Sequence, residues 1–234
     1  MKKILLVVSI TGFMFAEGKI GGVTYFDFIS SEDSTAFNFQ RQYFGYGGDI
    51  SDQVSFKILF DVGRNAPDTR LSAYLKKAQV NYKSSLGKFN FGLIGMNTYN
   101  IQEKNWGYRF IEKSAIDKNK FSATVDIGVG FSKSIIDNLN LSFQIVNGEG
   151  FKKPQGVKYH KIAFNATYGE SNLIKNDGYN AGLVYTTEQT GTDPITMTSI
   201  FGGFAGMGIR IGGEYDMKTI GGVNSNIVSV STNY

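Results

Sequence analysis

The stretch VSFKILFDV, residues 54 to 62, sets Val54, Phe56, Ile58, Phe60 and Val62 against Ser55, Lys57, Leu59 and Asp61. Strict period-two alternation is the pattern of a β-strand with one apolar face and one face in a polar setting. In a water-soluble protein the apolar face would be a core and the charged face open solvent. In an outer-membrane barrel the apolar face meets lipid and the polar face meets a watery lumen.

The rest of the chain repeats the pattern. Phe121, Ala123, Val125, Ile127, Val129 and Phe131 oppose Lys120, Ser122, Thr124, Asp126, Gly128 and Gly130. Leu139, Leu141, Phe143 and Ile145 oppose Asn140, Ser142 and Gln144, and Ile162, Phe164, Ala166 and Tyr168 oppose Lys161, Asn165 and Thr167. Twelve such segments are expected, near residues 19–29, 36–47, 53–63, 72–84, 87–97, 119–133, 138–147, 157–169, 178–187, 195–205, 208–217 and 225–234. Short connections such as SSLG at 84–87 lie on one side, and longer ones such as NGEGFKKPQG at 147–156 lie on the other. That asymmetry is the one between turns and external loops of outer-membrane barrels. Tyr46, Tyr82, Phe89, Phe131, Tyr168 and Tyr234 form one expected aromatic girdle, and Phe26, Phe60 and Phe121 the other.

These patterns predict an all-β fold, an antiparallel transmembrane β-barrel of about 12 strands over residues 17–234. A charge facing lipid near the midplane costs roughly 2–4 kcal/mol, so Lys57 and Asp61 are expected to face the lumen. A soluble sandwich would need packed inner faces from two sheets, whereas here one face of nearly every strand is small or polar. The 29 Gly, 13 Tyr and 19 Phe against 3 Pro suit many aromatic-bearing strands.

Residues 1–16, MKKILLVVSITGFMFA, read as a signal peptide: basic residues, an apolar run and a small residue at the cut. The run is too short for a spanning helix, so the expected place is the bacterial outer membrane, with its lipid as a partner. Without Lys2 and Lys3 the 24 basic residues fall to 22 against 20 acidic ones, a net charge near +2, which excludes a nucleic-acid binder on charge grounds.

Two places depart from strict alternation. In FNFQRQYFGY, residues 37 to 46, Arg41 shares parity with Phe37 and Phe39 while Phe44 and Tyr46 look outward, which predicts a β-bulge near residues 40–42. In YLKKAQVNY, Lys76 shares parity with the outward Ala78, Val80 and Tyr82, and is expected to snorkel to the outer rim.

Residues 98–118, TYNIQEKNWGYRFIEKSAIDK, form the third long loop and hold the only tryptophan, Trp106. A break this long is more often functional than idle. Folded inward, it would make a constriction from Lys104, Arg109, Glu112 and Lys113, with Glu103 and Asp117 as opposing charges. The expected pore-lining cations are Arg41, Lys57, Lys77, Lys120, Lys161 and Arg210.

RQYFGYGGDISDQVSFKILFDVG at 41–63, YLKKAQVNY at 74–82 and WGYRFIEKS at 106–114 resemble the phosphate-selective porin O and P family of bacterial outer membranes. The last contains an aromatic-x-Glu-basic-Ser run, Phe110, Glu112, Lys113 and Ser114, similar to the family's third loop. The resemblance covers roughly residues 19 to 135. It implies passive diffusion of small anionic solutes, phosphate among them, through a lumen lined by basic residues, here Arg41, Lys57 and Lys113. It also implies about sixteen strands, which would make this chain a short relative or part of a larger barrel. Asp61, Asp126, Glu214 and Asp216 also fall on lumen parity, so only a weak anion preference is expected. A homotrimer is the assembly expected.

Other chemistry finds little support. His160 is the only histidine, so a Ser–His lipid hydrolase on a closed barrel is the runner-up, beside an anchor or adhesin. With no cysteine and no second imidazole, no metal site is expected, and no cofactor. The glycines of GGFAGMG, residues 202 to 208, precede no helix and read as strand kinks and close turns. Transport, not catalysis, is the expected activity.

Overall fold

A computed structural model describes residues 18–32, 35–64, 70–153 and 159–234 of the chain. The predicted signal peptide lies outside the described residues. Twelve strands form one antiparallel sheet in sequence order. They are β1 (Gly18–Ser30), β2 (Thr35–Asp49), β3 (Val54–Gly63), β4 (Ser72–Lys83), β5 (Lys88–Gly95) and β6 (Val125–Ile136), then β7 (Leu139–Val146), β8 (Lys161–Gly169), β9 (Gly178–Glu188), β10 (Ile195–Gly206), β11 (Ile209–Ile220) and β12 (Val223–Asn233). Two short helices, α1 (Asn100–Trp106) and α2 (Ala115–Lys118), lie in the connection between β5 and β6. Neither is long or apolar enough to cross a membrane.

Local chemistry explains the turns. Asn138 (φ 65°) closes the β6–β7 hairpin, and Met207 (φ 55°) with Gly208 (φ 79°) closes β10–β11 in the left-handed region that tight hairpins require. The Ser84 hydroxyl accepts from the Leu86 N–H at 3.2 Å, holding the turn between β4 and β5.

The outward set is apolar and exposed: Ile127, Val129, Phe143, Ile145, Ile162, Leu183, Ile200, Phe204, Val228 and Val230. The inward set contains most of the buried polar residues, among them Asp61, Asp126, Gln144, Asn165, Thr186, Ser199 and Asp216. A sheet with its apolar side bare and its polar side buried is turned inside out relative to a water-soluble fold, and lipid is the solvent that accepts it.

The sheet shows no pairing between β1 and β12, and both faces of β1 are largely exposed. Bare peptide edges are not compatible with hydrocarbon, so in a membrane each of these strands takes a partner.

A register shift pairs Tyr25 with Arg41 and Phe26 with Phe39, leaving Gln40 as the extra residue of a bulge in β2. A second shift pairs Leu59 with Lys77 and Phe60 with Leu75, so Lys76 is the extra residue in β4. This corrects the expectation for Lys76. The bulge turns its side chain inward, where its ammonium lies 3.3 Å from Asp61, not at the outer rim.

β6 begins at Val125, not near residue 119, and the six residues 119–124 belong to the loop. Phe121 therefore leaves the expected girdle: it packs beside the inward cluster of Ile101, Val184, Met197 and Phe201. Lys120 stands in a turn at φ 58°, not on a strand.

Candidate functional site

The third long loop runs along the inner wall, and the inward polar residues are its rail. Asn97 N–H donates to Gln144 Oε1 on β7 at 3.0 Å, and Asn165 on β8 donates to Asn97 O at 2.9 Å. Thr98 and Ser122 share a 2.7 Å hydrogen bond across the loop's two ends. Further along, Gln102 donates to Ser199 on β10 at 3.2 Å, and Asn105 pairs with Asn180 on β9. α1 packs on β10 and β11, and α2 lies against β12.

Gly107 ends α1 in the left-handed conformation (φ 76°), its N–H returning to Glu103 O. A Cβ there would press on the Arg210 guanidinium, the movable end of a long side chain, so the left-handed backbone and not space is what asks for glycine. Arg210 reaches Trp106 O at 3.4 Å and Leu173 O at 3.5 Å, and lies over the Tyr108 ring. The arginine expected to line a pore is thus spent on holding the loop. Gly203 and Gly212 receive Asn105, so the interior is filled on this side.

The charged residues of the loop pair among themselves. Arg109 lies 3.4 Å from Asp117, and Lys118 lies 2.9 Å from Glu112. Among the described residues Lys104 and Lys113 form no ion pair; Lys113 is exposed and Lys104 half-buried. Burial raises the Glu103 carboxyl above its ordinary value, against the pull of Arg109, and lowers the Lys104 ammonium. The hydrogen bond from Lys118 lowers Glu112.

The other half of the interior stays open. A cavity of about 380 Å³ is bounded by Tyr25, Tyr43, Leu59, Lys77 and Gln79 on the wall and by Glu103, Arg109 and Asp117 on the loop. Beside it, a cavity of about 540 Å³ is lined by nine cations, Arg41, Lys76, Arg109, Lys113, Lys120, Lys152, Lys153, Lys161 and Lys218, against the carboxylates Asp61, Asp117, Glu149 and Glu188. Asp61, 1% exposed, takes Arg41 at 3.1 Å and Lys76 at 3.3 Å. Lys161 is buried 3.2 Å from Glu188. Lys57 is exposed on the inward parity of β3, beside a third opening that it shares with Gly45, Gly47 and Asn81.

Of the expected pore-lining set, Arg41, Lys120 and Lys161 meet at the larger cavity, Lys77 borders the smaller one, and Lys57 stands apart. Among the constriction residues, Arg109 reaches both cavities, and Lys113 reaches the larger one. Lys76, Lys152, Lys153 and Lys218 were missed. Lys152 and Lys153 lie in a loop where strand parity gives no direction. Lys218 has the same parity as Arg210, which was the available signal. His160 is exposed just before β8.

No family model and no curated protein matches the chain. Among solved structures it is similar to Salmonella typhi OmpF in complex with daunomycin, with TM-score 0.56 and 10% identity, over 86% of this chain and 64% of that one. The chain thus spans less than two thirds of the OmpF length. A loop L8 deletion mutant of OmpT, an outer membrane protein of Vibrio cholerae, matches with TM-score 0.46 and 10% identity over 92% of this chain and 88% of that one. The OmpF likeness is one of fold, and the fold is the bacterial outer-membrane β-barrel.

Proposed function

We propose that this chain is an outer-membrane porin that passes small solutes by diffusion and weakly favours anions. The observation that carries the reading is the surplus of cations around the 540 Å³ cavity between the inward loop and the wall, nine against four carboxylates. Charge rings act at short range, within a Debye length of about 8 Å in physiological salt, so a local surplus matters more than a net charge near zero. The inward loop narrows the interior by occupying the side of β9 to β12, and Arg109 and Lys113 stand at its free margin. Phosphate is among the anions such a field would admit, as the resemblance of the loop motif implies.

The test is the reversal potential across a planar bilayer in a potassium chloride gradient. The parent is expected to favour chloride. Lys113→Glu combined with Lys152→Glu is expected to lower that preference or reverse it. A parent that conducts without any preference, or a double variant with the parent's reversal potential, would overturn the anion reading, and a parent that forms no conducting pore would overturn the porin reading itself.

A further inference from the structure

Where the inward loop meets β11, four side chains present buried oxygens that find few donors among the described residues. Glu214 and Asp216 are two residues apart on β11, so both side chains leave its inner face. Asp216 is 0% exposed, and among the described residues the one donor its carboxylate meets is the Ser199 hydroxyl. Glu214 Oε2 is buried without a partner, although the carboxylate takes the backbone N–H of Ala115. Ser199 stands directly across from Asp216. Gln102 spends its amide N–H groups on Ser199 and on Thr98 O, which leaves Gln102 Oε1 buried and unmatched. Ser114 occupies the N-cap of α2 yet makes no cap, and its buried hydroxyl finds no partner among the described residues. Gln102, Ser114 and Glu214 line one cavity of about 370 Å³, together with Trp106, while Asp216 is two residues further along β11 and outside that lining.

A buried oxygen left without a partner costs about 1–3 kcal/mol, and a charged one more, so two carboxylates side by side call for either a proton or a cation. The protein supplies no cation at ion-pair distance among the described residues. Lys218, two residues along the same face, turns to Lys120 O at 3.2 Å. Lys118 is engaged by Glu112 at 2.9 Å, and Lys113 is exposed on the cavity's lining.

We propose that Glu214 and Asp216, with Gln102 Oε1 and Ser114 Oγ, bind a hard divalent cation of the calcium type, which fastens the inward loop to β11. The donors are oxygens only, with no nitrogen or sulfur to draw a softer metal, and the two carboxylates balance a charge of +2. Among the described residues no three His, Cys, Asp or Glu come together, so water completes the shell. A loop pinned by a cation keeps its position against the wall, and its release on chelation would change the pore without changing the barrel. With only two carboxylates the expected dissociation constant lies around 10⁻⁴–10⁻³ M, the range of weak extracellular calcium sites.

Terbium serves as the probe, in the folded full chain in detergent, because Trp106 lines the same cavity and can sensitise its emission. The expected result is saturable emission on indole excitation, displaced by calcium and not by potassium. Glu214→Gln with Asp216→Asn should weaken terbium binding at least tenfold, and Trp106→Phe should cut the intensity without changing the affinity. Ser229 lies directly opposite Glu214, so Ser229→Lys sets an ammonium beside the carboxylate and should compete with the metal. That variant decides the matter where the double carboxylate change fails to fold. Absence of saturable binding at millimolar terbium, or parent affinity in whichever variant folds, would overturn the proposal; the former would mean that the two acids are held by protons or water instead.

Discussion

The side-chain amides of Asn105 and Asn180 exchange two hydrogen bonds, 2.8 and 2.9 Å long, between the last turn of α1 and the inner face of β9. A carboxamide carries both donor and acceptor, so two of them satisfy each other reciprocally. The pair is buried, and Asn180 also donates to Glu170 O at 2.7 Å. Asn180→Leu leaves the Asn105 amide unmatched and is expected to destabilise the loop's seat by about 1–3 kcal/mol. Limited proteolysis in detergent should then cut within residues 98–118 faster than in the parent, with the barrel intact. The double change Asn105→Leu with Asn180→Leu should recover part of the loss. Equal cleavage in parent and single variant would show that the loop is held elsewhere.

Asp61 sits between two cations, and that position makes it a second point of test. Replacing one member of a buried ion cluster leaves the others uncompensated, at about 3–5 kcal/mol. Asp61→Asn is therefore expected to lower the temperature of the heat-modifiability shift on gels. It should also raise the preference for anions, because Arg41 and Lys76 lose their screening carboxylate. A variant less anion-preferring than the parent would contradict the placement of this cluster on the conduction path.

The barrel was legible because a strand in lipid must alternate, and the outward residues of β7 and β8 do so without a break, as do Ile127, Val129 and Phe131 in the middle of β6. The β2 bulge showed itself because it put Arg41 out of phase with its neighbours. The β4 bulge left no such mark: Lys76 and Lys77 are adjacent, and whichever is assigned inward, the other falls outward. The seat of the loop was not legible at all. Gln144, Asn165, Asn180 and Ser199 look alike whether they face water or a docked segment, and only the fold tells which. Arg210 was identified by parity as inward, and its partners, carbonyls of Trp106 and Leu173, carry no signal in sequence.

Glu103 gives the site a pH dependence. Burial disfavours its ionised form, so its folded-state pKa stands above the unfolded value, near 4.3 for an ordinary glutamate. The folded protein then binds the extra proton in the window between those two values. Stability gains as pH falls through it, and is lost again as pH rises through the folded pKa. In the same window the cavity of Arg109 and Lys77 loses a negative charge, so anion preference should increase as the bath is acidified. Glu103→Gln should remove that step from the pH profile of reversal potential while leaving the pore open. An identical profile in the variant would assign the step to another group.

The faces of the sheet can be set against each other with one charge. Ile200, near the middle of β10, is 59% exposed on the outward parity, whereas Ser199 beside it is buried on the inward one. If lipid covers the outer face, Ile200→Lys carries an ammonium into hydrocarbon and costs roughly 2–4 kcal/mol. The reverse change at Lys57, Lys57→Ile, removes a charge from the inward side and should cost far less, since that side chain is exposed to the interior opening. Folding into bilayers followed by urea titration measures both. A solvent-exposed outer face would reverse the expectation: Ile200→Lys would then be neutral within about 0.5 kcal/mol, the usual range for surface substitutions.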